Sequence, residues 1–100
     1  MKNFRTLTLA VDFYQQTSCQ TLPAHLRSQL QRAASSIALN LAEGRGRHGR
    51  NDQLRFFHIA MGSVRECQAI LTLAQLTDTK AWTTLDLLAA HLHKLIKLAR

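Results

Sequence analysis

Apolar residues recur at steps of three and four along nearly the whole chain, and this spacing restricts the fold more than any other feature. It is the spacing of one face of an α-helix, and no segment shows the sustained period-two alternation of a strand. The pattern predicts four helices, over about residues 4–19, 23–43, 52–77 and 80–99. Such helices, joined by short connections, favour an antiparallel up-down-up-down four-helix bundle. We therefore expect an all-α fold with a single domain over residues 1–100.

The first two helices are predicted from their apolar stripes. These stripes are formed by Phe4, Leu7, Val11 and Tyr14, and by Leu26, Leu30, Ala33, Ile37 and Leu41. Pro23 suits the start of the second helix because its fixed φ is already helical. Small residues lie beside the second stripe at Ala34, Ala38 and Ala42. They predict that another helix packs closely against this one.

Glycines mark the clearest loop, since three of the four lie at positions 44, 46 and 49. A left-handed glycine is expected to end the second helix there. Asn51 is expected to cap the third helix, with Asp52 in its first turn, and Asp78 or Thr79 to cap the fourth. The stripes of these two helices are formed by Leu54, Phe57, Ala60, Val64, Cys67, Leu71 and Ala74, and by Trp82, Leu85, Leu88, Leu92, Leu95 and Ala99.

The chain is strongly basic, with 13 Lys and Arg against six Asp and Glu and a formal charge of +7. A molecule of this charge is attracted to polyanions, of which nucleic acid is the obvious candidate. Solubility alone is the alternative explanation for the charge. The distribution of the cations therefore decides between the two.

Arginines crowd the glycine loop and the start of the third helix. Arg45, Arg47, Arg50 and Arg55 are expected around one end of the bundle, with Arg32 as a weaker candidate. Guanidinium groups suit phosphate oxygens, and the neighbouring glycines leave backbone N–H groups uncovered. Because most aromatic residues fall on predicted core faces, contacts to the backbone are expected rather than base stacking. The alternative is a solvated loop whose arginines pair with Glu43 and Asp52.

Residues for catalysis or metal binding are not evident. Neither glutamate is followed three residues later by the histidine that di-iron bundles use, and His91 and His93 point to different sides of a helix. Cys19 and Cys67 lie in apolar helical patterns, where free cysteines act as small hydrophobic residues and fit a reducing cytoplasm. No segment approaches a membrane span. We expect a cytoplasmic, non-enzymatic protein with no metal, no cofactor and no membrane contact.

A polar stripe follows the second helix through Arg32, Ser36, Asn40 and Glu43. Gly62 and Ser63 interrupt the third helix, where a glycine costs about 1 kcal/mol unless a close neighbour needs the space. One interpretation is a buried or subunit-facing polar cluster of Asn40, Glu43, Gly62, Ser63 and Glu66. The other is plain solvent exposure.

Two segments carry a resemblance to a known family: residues 32–47, which include Asn-Leu-Ala-Glu-Gly at 40–44, and residues 55–63 with Glu66. They resemble the 23S rRNA intervening-sequence protein family, also called the four-helix bundle protein family. The resemblance covers about 45 residues, and the first and fourth helices agree only in length and pattern. Leu41 replaces the family's usual isoleucine, and Gln53 and Leu54 stand where an acidic residue and phenylalanine are commoner. Neither departure disturbs the fold.

The resemblance implies a bacterial four-helix bundle that forms a homopentameric ring and has a basic surface suggested to bind nucleic acid. The related accessory variability determinants of diversity-generating retroelements are similar bundles that partner a reverse transcriptase and its RNA. Our first hypothesis is therefore a ring that binds nucleic acid, with RNA favoured over DNA, through its phosphate backbone. The alternative is a protein-interaction scaffold for an enzyme such as a reverse transcriptase.

Overall fold

The computed structural model describes residues 4–100, which contain four α-helices and no strand. The helices are α1 (Arg5–Thr17), α2 (Ala24–Arg45), α3 (Arg50–Leu73) and α4 (Lys80–Ala99). The all-α prediction with four helices is confirmed, and α3 ends four residues before its predicted limit at residue 77. Residues 1–3, part of the predicted domain 1–100, lie outside the described range.

Each helix packs against the next one along the chain, and α4 also packs against α1. The described residues form an elongated body of 40 × 21 × 19 Å. Its core holds the predicted stripes of the last three helices, with Leu30, Ile37, Phe57, Leu71 and Leu88 among the fully buried side chains. Periodicity therefore located the core of α2, α3 and α4.

The predicted stripe of α1 is wrong in part. Val11 and Tyr14 remain 42% and 44% exposed, while Leu9, Ala10 and Phe13 are buried. Because α1 carries apolar residues around more than half of its circumference, two adjacent stripes satisfy the helical spacing and only packing against α2 and α4 selects one. Thr17 is buried in the selected stripe, and its hydroxyl is satisfied there because it donates a 2.6 Å hydrogen bond to the Tyr14 carbonyl.

The helix ends also differ from the expectation. No described glycine has a positive φ, and Gly44 lies inside α2 while Gly46 caps it with φ −81°. The N-cap of α3 is Gly49 rather than Asn51, and Pro23 occupies the N-cap position of α2. Thr79 is confirmed as the cap of α4, where its Oγ1 accepts a 3.2 Å hydrogen bond from the Trp82 amide.

A left-handed residue does occur, at Gln75 after α3, with φ 58°. The Leu76 amide donates to the Leu71 carbonyl at 2.8 Å, and the Gln75 amide donates to the Thr72 carbonyl at 3.1 Å. This pair of bonds is the Schellman arrangement, which satisfies the last carbonyls of a helix. The arrangement ends α3 before its predicted limit, with Gln75 rather than a glycine in the left-handed position.

The two cysteines are in different surroundings, and both are free. Cys67 is buried in the core, as its place in the α3 stripe predicted. Burial, reinforced by the nearby charge of Glu66, raises the pKa of its thiol to about 12. Cys19 is exposed in the connection between α1 and α2, so the prediction that it lies in an apolar helical face is wrong. The reason is that α1 ends at Thr17.

Candidate nucleic-acid interface

The connection between α2 and α3 holds the predicted loop arginines close to one another. Arg45 is the last residue of α2, Arg47 lies in the connection and Arg50 is the first residue of α3. Gln53 fixes the connection, because its Nε2 donates to the Gly44 carbonyl at 3.1 Å and its backbone amide donates to the Gly49 carbonyl at 2.9 Å. These hydrogen bonds fix the backbone from which the loop arginines extend.

Arg47 and Arg55 pair with carboxylates. Nη2 of Arg47 lies 2.8 Å from Oε2 of Glu43, and Nη1 lies 3.6 Å from Oδ2 of Asp52. Nη2 of Arg55 lies 3.2 Å from Oδ1 of the same Asp52. The pairing with Glu43 and Asp52 that the alternative interpretation expects is therefore present for Arg47. Since these side chains are 40–59% exposed, each pair contributes no more than about 1 kcal/mol.

Phe56 organises the same two guanidinium groups. The guanidinium carbon of Arg47 lies 4.8 Å from the centre of the Phe56 ring, and that of Arg55 lies 4.4 Å from it. Both distances are typical of cation–π contacts. Phe56 is half-buried rather than part of the core, so it belongs to the site that sequence reasoning gave to arginines alone. The only sign of this role in the sequence is that Phe56 directly follows Arg55.

Arg45 and Arg50 lie outside the Phe56 cluster of Arg47 and Arg55. The guanidinium carbon of Arg45 lies 5.2 Å from the centre of the Phe4 ring, which joins the end of α2 to the start of α1. Arg50 is exposed and makes no ion pair with any residue of the described range. It is therefore the loop cation best placed to meet an external anion.

Arg32 lies apart from the other predicted contacts. It is 13 positions before Arg45 on the same helix, which is about 20 Å of helical rise. Its Nη2 lies 3.5 Å from Oε2 of Glu66 on α3. The structure therefore brings together Arg45, Arg47, Arg50 and Arg55 but not Arg32.

The predicted polar cluster forms only in part, along the groove between α2 and α3. Ser63 Oγ donates to Ser36 Oγ at 2.9 Å, and Asn40 Nδ2 donates to the Ser36 carbonyl at 2.8 Å. These three residues are half-buried. Glu43 is not part of the cluster, because it pairs with Arg47.

The close neighbour expected at Gly62 is absent from the described structure. Among residues 4–100, a Cβ at this position would meet no atom of another helix within 4 Å, so none of the described helices packs closely against it. The close neighbour that we expected is present instead at Gly44. A Cβ there would lie 3.0 Å from Cβ of Phe56 and 2.8 Å from Cε1 of Phe57. The glycine of the Asn-Leu-Ala-Glu-Gly motif is therefore the one that the packing of α2 against α3 requires.

These residues fall inside a family match that spans almost the whole chain. The family model described as 23S rRNA-intervening sequence protein matches residues 4–99. The chain belongs to the 23S rRNA-intervening sequence protein family. No curated protein matches it. The resemblance over residues 32–47 and over residues 55–63 with Glu66 is confirmed, and the match extends it to the first and fourth helices.

Two further structural findings concern metal sites and membrane-spanning helices in this member of the intervening-sequence family. Residues 4–100 contain no group of three or more His, Cys, Asp or Glu side chains arranged to hold a metal ion. Within the same range, no helix is long and apolar enough to cross a membrane.

Proposed function

We propose that this 23S rRNA-intervening sequence protein is a non-enzymatic, cytoplasmic protein that binds nucleic acid, with RNA favoured, through contacts to the phosphate backbone. The observation that carries the proposal is the gathering of Arg45, Arg47, Arg50 and Arg55 around one short connection. Arginine forks bind phosphate oxygens in pairs, and such contacts fix a protein on nucleic acid without reading its sequence. Sequence specificity is accordingly modest.

The carboxylates beside Arg47 and Arg55 do not prevent this role. Their ion pairs are exposed, so a phosphate group can replace Glu43 or Asp52 at a cost of no more than about 1 kcal/mol for each pair. Phe56 keeps both guanidinium groups in place after such an exchange, because its ring contacts do not depend on the carboxylates. Arg32 contributes less, since it lies about 20 Å of helical rise from Arg45 and pairs with Glu66 there.

The proposal includes an up-down-up-down bundle that assembles into a homopentameric ring. Three contacts between α2 and α3, Gly44 with Gln53, Ser36 with Ser63 and Arg32 with Glu66, support antiparallel helices. Exposed large apolar residues support assembly, notably Leu39 at 69% and Leu73 at 72% exposure. Five copies would carry five times the +7 of one chain, so that weak phosphate contacts add through avidity.

Salt-dependent binding tests the nucleic-acid function. Labelled structured RNA and duplex DNA are titrated with the protein at several salt concentrations, and fluorescence anisotropy gives the affinity. Replacing Arg45, Arg47 and Arg50 by Gln should flatten the log–log salt slope on duplex DNA by about 2.7, since each phosphate contact contributes about 0.9.

The matched control removes three cations elsewhere, with Arg27, Arg65 and Lys80 replaced by Gln. Circular dichroism and light scattering establish that both variants keep their helices and assembly state. Equal salt slopes for the two variants would contradict the proposed site.

A scaffold for a nucleic-acid enzyme such as a reverse transcriptase is the second candidate. The carboxylate pairing of Arg47 and Arg55 favours it, because paired arginines have less capacity for phosphate. Absence of binding to RNA and DNA at near-physiological salt would favour the scaffold. So would a neighbouring reverse transcriptase gene with a template repeat, whereas a position inside a ribosomal RNA operon would favour the first proposal.

Assembly has its own test at the predicted contact residues Asn40, Glu43, Gly62, Ser63 and Glu66. Light scattering should give five times the 11.3 kDa of one chain. Because the space around Gly62 is open within one chain, Gly62→Gln should leave the helices intact and reduce the mass. Ala90→Gln, at an exposed position of α4, is the control. An unchanged mass for Gly62→Gln would remove α3 from the interface.

A further inference from the structure

A second group of cations lies at the same end of the bundle as the loop arginines. It consists of Lys94, Lys97 and Arg100 from the last two turns of α4 and its C-cap, together with Arg5 at the start of α1. All four residues are exposed, and none is among the binding residues assigned from the sequence. These four residues lie near the loop arginines because the ends of their helices meet at this end of the bundle.

One surface depression shows that three helix ends come together here. Phe4, Gln53, Phe57, Leu95, Leu98 and Ala99 line it. They come from the start of α1, the first third of α3 and the end of α4. The end of α2 joins the same group, because Arg45 contacts the Phe4 ring and Gln53 bonds to Gly44. The last turns of α4 and the arginine loop are therefore neighbours.

The charge of the described chain is concentrated at this end. Of the twelve Lys and Arg side chains in residues 4–100, eight lie here, with Glu43 and Asp52 as the accompanying carboxylates. The formal charge of this end is therefore +6, while the remaining four cations and four carboxylates cancel. The eight cations are Arg5, Arg45, Arg47, Arg50, Arg55, Lys94, Lys97 and Arg100.

Helix dipoles do not account for this distribution. Cations near any helix C-terminus are favourable, so a dipole effect should act at all four ends. Arg45 and Lys97 lie in the last turns of α2 and α4, which end at the basic end. The last turns of α1 and α3 contain no basic residue. The cations therefore follow one end of the bundle rather than helix termini in general.

We propose that Lys94, Lys97 and Arg100, with Arg5, form a second phosphate-contact surface that is continuous with the loop arginines. This inference rests on the proposed nucleic-acid function and extends its site from one loop to the whole basic end. The body is 21 × 19 Å across its two shorter axes. Because each strand of a duplex has one phosphate per 3.4 Å of helix axis, such an end spans about six phosphates of one strand. The ligand is therefore a polynucleotide strand that crosses the end of the bundle, rather than a single nucleotide.

The test compares two double variants that remove the same charge. Lys94→Gln/Lys97→Gln changes the basic end, and Arg65→Gln/Lys80→Gln changes exposed cations outside it. On short duplex DNA, the Lys94/Lys97 variant should lower the log–log salt slope by about 1.8, the value for two lost phosphate contacts. The control variant should keep the native slope. Circular dichroism and light scattering establish that helicity and assembly are unchanged in both.

Each outcome bears on one of the two proposals. If the Lys94/Lys97 variant keeps the native slope while the loop variant loses it, the second surface is wrong and the loop site stands. If native protein shows no salt-dependent binding, the nucleic-acid function is wrong and the second surface falls with it. Competition by a mononucleotide as strong, per phosphate, as competition by a strand would also overturn a site that spans several phosphates.

Discussion

Gly44 of α2 lies against the ring of Phe57 on α3, where an added Cβ would be 2.8 Å from the ring carbon Cε1. Real Cβ atoms do not approach a neighbour so closely, so this glycine permits the approach of the two helices next to the arginine loop. Phe57 is almost fully buried and has little room to move aside. The contact therefore sets the distance between α2 and α3 both in the core and next to the candidate site.

Gly44→Ala and Gly62→Ala should have opposite effects on stability. Alanine at position 44 overpacks the contact with Phe57 and should lower the free energy of unfolding by about 1–3 kcal/mol. Within one protomer, alanine at position 62 meets open space and removes the cost of a mid-helix glycine, so it should raise the free energy of unfolding by about 1 kcal/mol. Urea unfolding at one fixed protein concentration measures both. A stabilising Gly44→Ala would contradict the contact.

Asp52→Asn should strengthen nucleic-acid binding and weaken the fold. The change releases Arg55 and one of the two carboxylate contacts of Arg47, which should raise affinity about 2- to 5-fold. It also removes an acidic residue from the first turn of α3, at a cost of about 0.3–1 kcal/mol in stability. Asp86→Asn on α4 alters net charge equally and serves as the control. The same gain in affinity from both variants would show that only overall charge matters.

Stability should fall at alkaline pH through Cys67. Its pKa is raised from 9.0 to about 12 in the folded chain by burial first and by the charge of Glu66 second. The folded state therefore keeps the thiol proton above pH 9 while the unfolded state loses it, and the stabilisation present below that pH declines as pH rises. The slope can reach about 1.4 kcal/mol per pH unit.

Urea unfolding between pH 8 and about 11 measures this decline, and Cys67→Ala provides the comparison because other groups also titrate in this range. The alanine variant should lose less stability on alkalinisation than the native protein. Parallel pH profiles for the two proteins would show that Cys67 does not contribute.

Gln75→Gly should stabilise the protein. A side chain at φ 58° is strained, and glycine removes this cost of about 1–2 kcal/mol while losing part of the gain to unfolded-state entropy. The expected net gain is about 0.5–1 kcal/mol, with the Leu76–Leu71 hydrogen bond kept. Gln75→Ala retains a Cβ and should give no such gain. An equal effect of the two substitutions would mean that strain at this residue is not relieved.

The sequence predicted the helices better than it predicted their surfaces. Spacing located the core of α2, α3 and α4, whereas in α1 it also fitted the neighbouring stripe, so that the exposed Val11 was placed inside. The loop arginines were found because they are adjacent in sequence. Lys94 and Lys97 were missed because their closeness to the loop depends on which helix ends meet. Phe56 was missed because cation–π contacts require tertiary positions.

Mapping the bound strand on the protein tests the central claim most directly. Backbone amide chemical shifts are recorded by NMR during titration with a short structured RNA. Shifts should concentrate at residues 45–55 and 94–100, with little change at residues 18–27 and 75–82 near the opposite helix ends. Shifts centred on those opposite ends, or no shifts at saturating RNA, would contradict a nucleic-acid site at the basic end of the bundle.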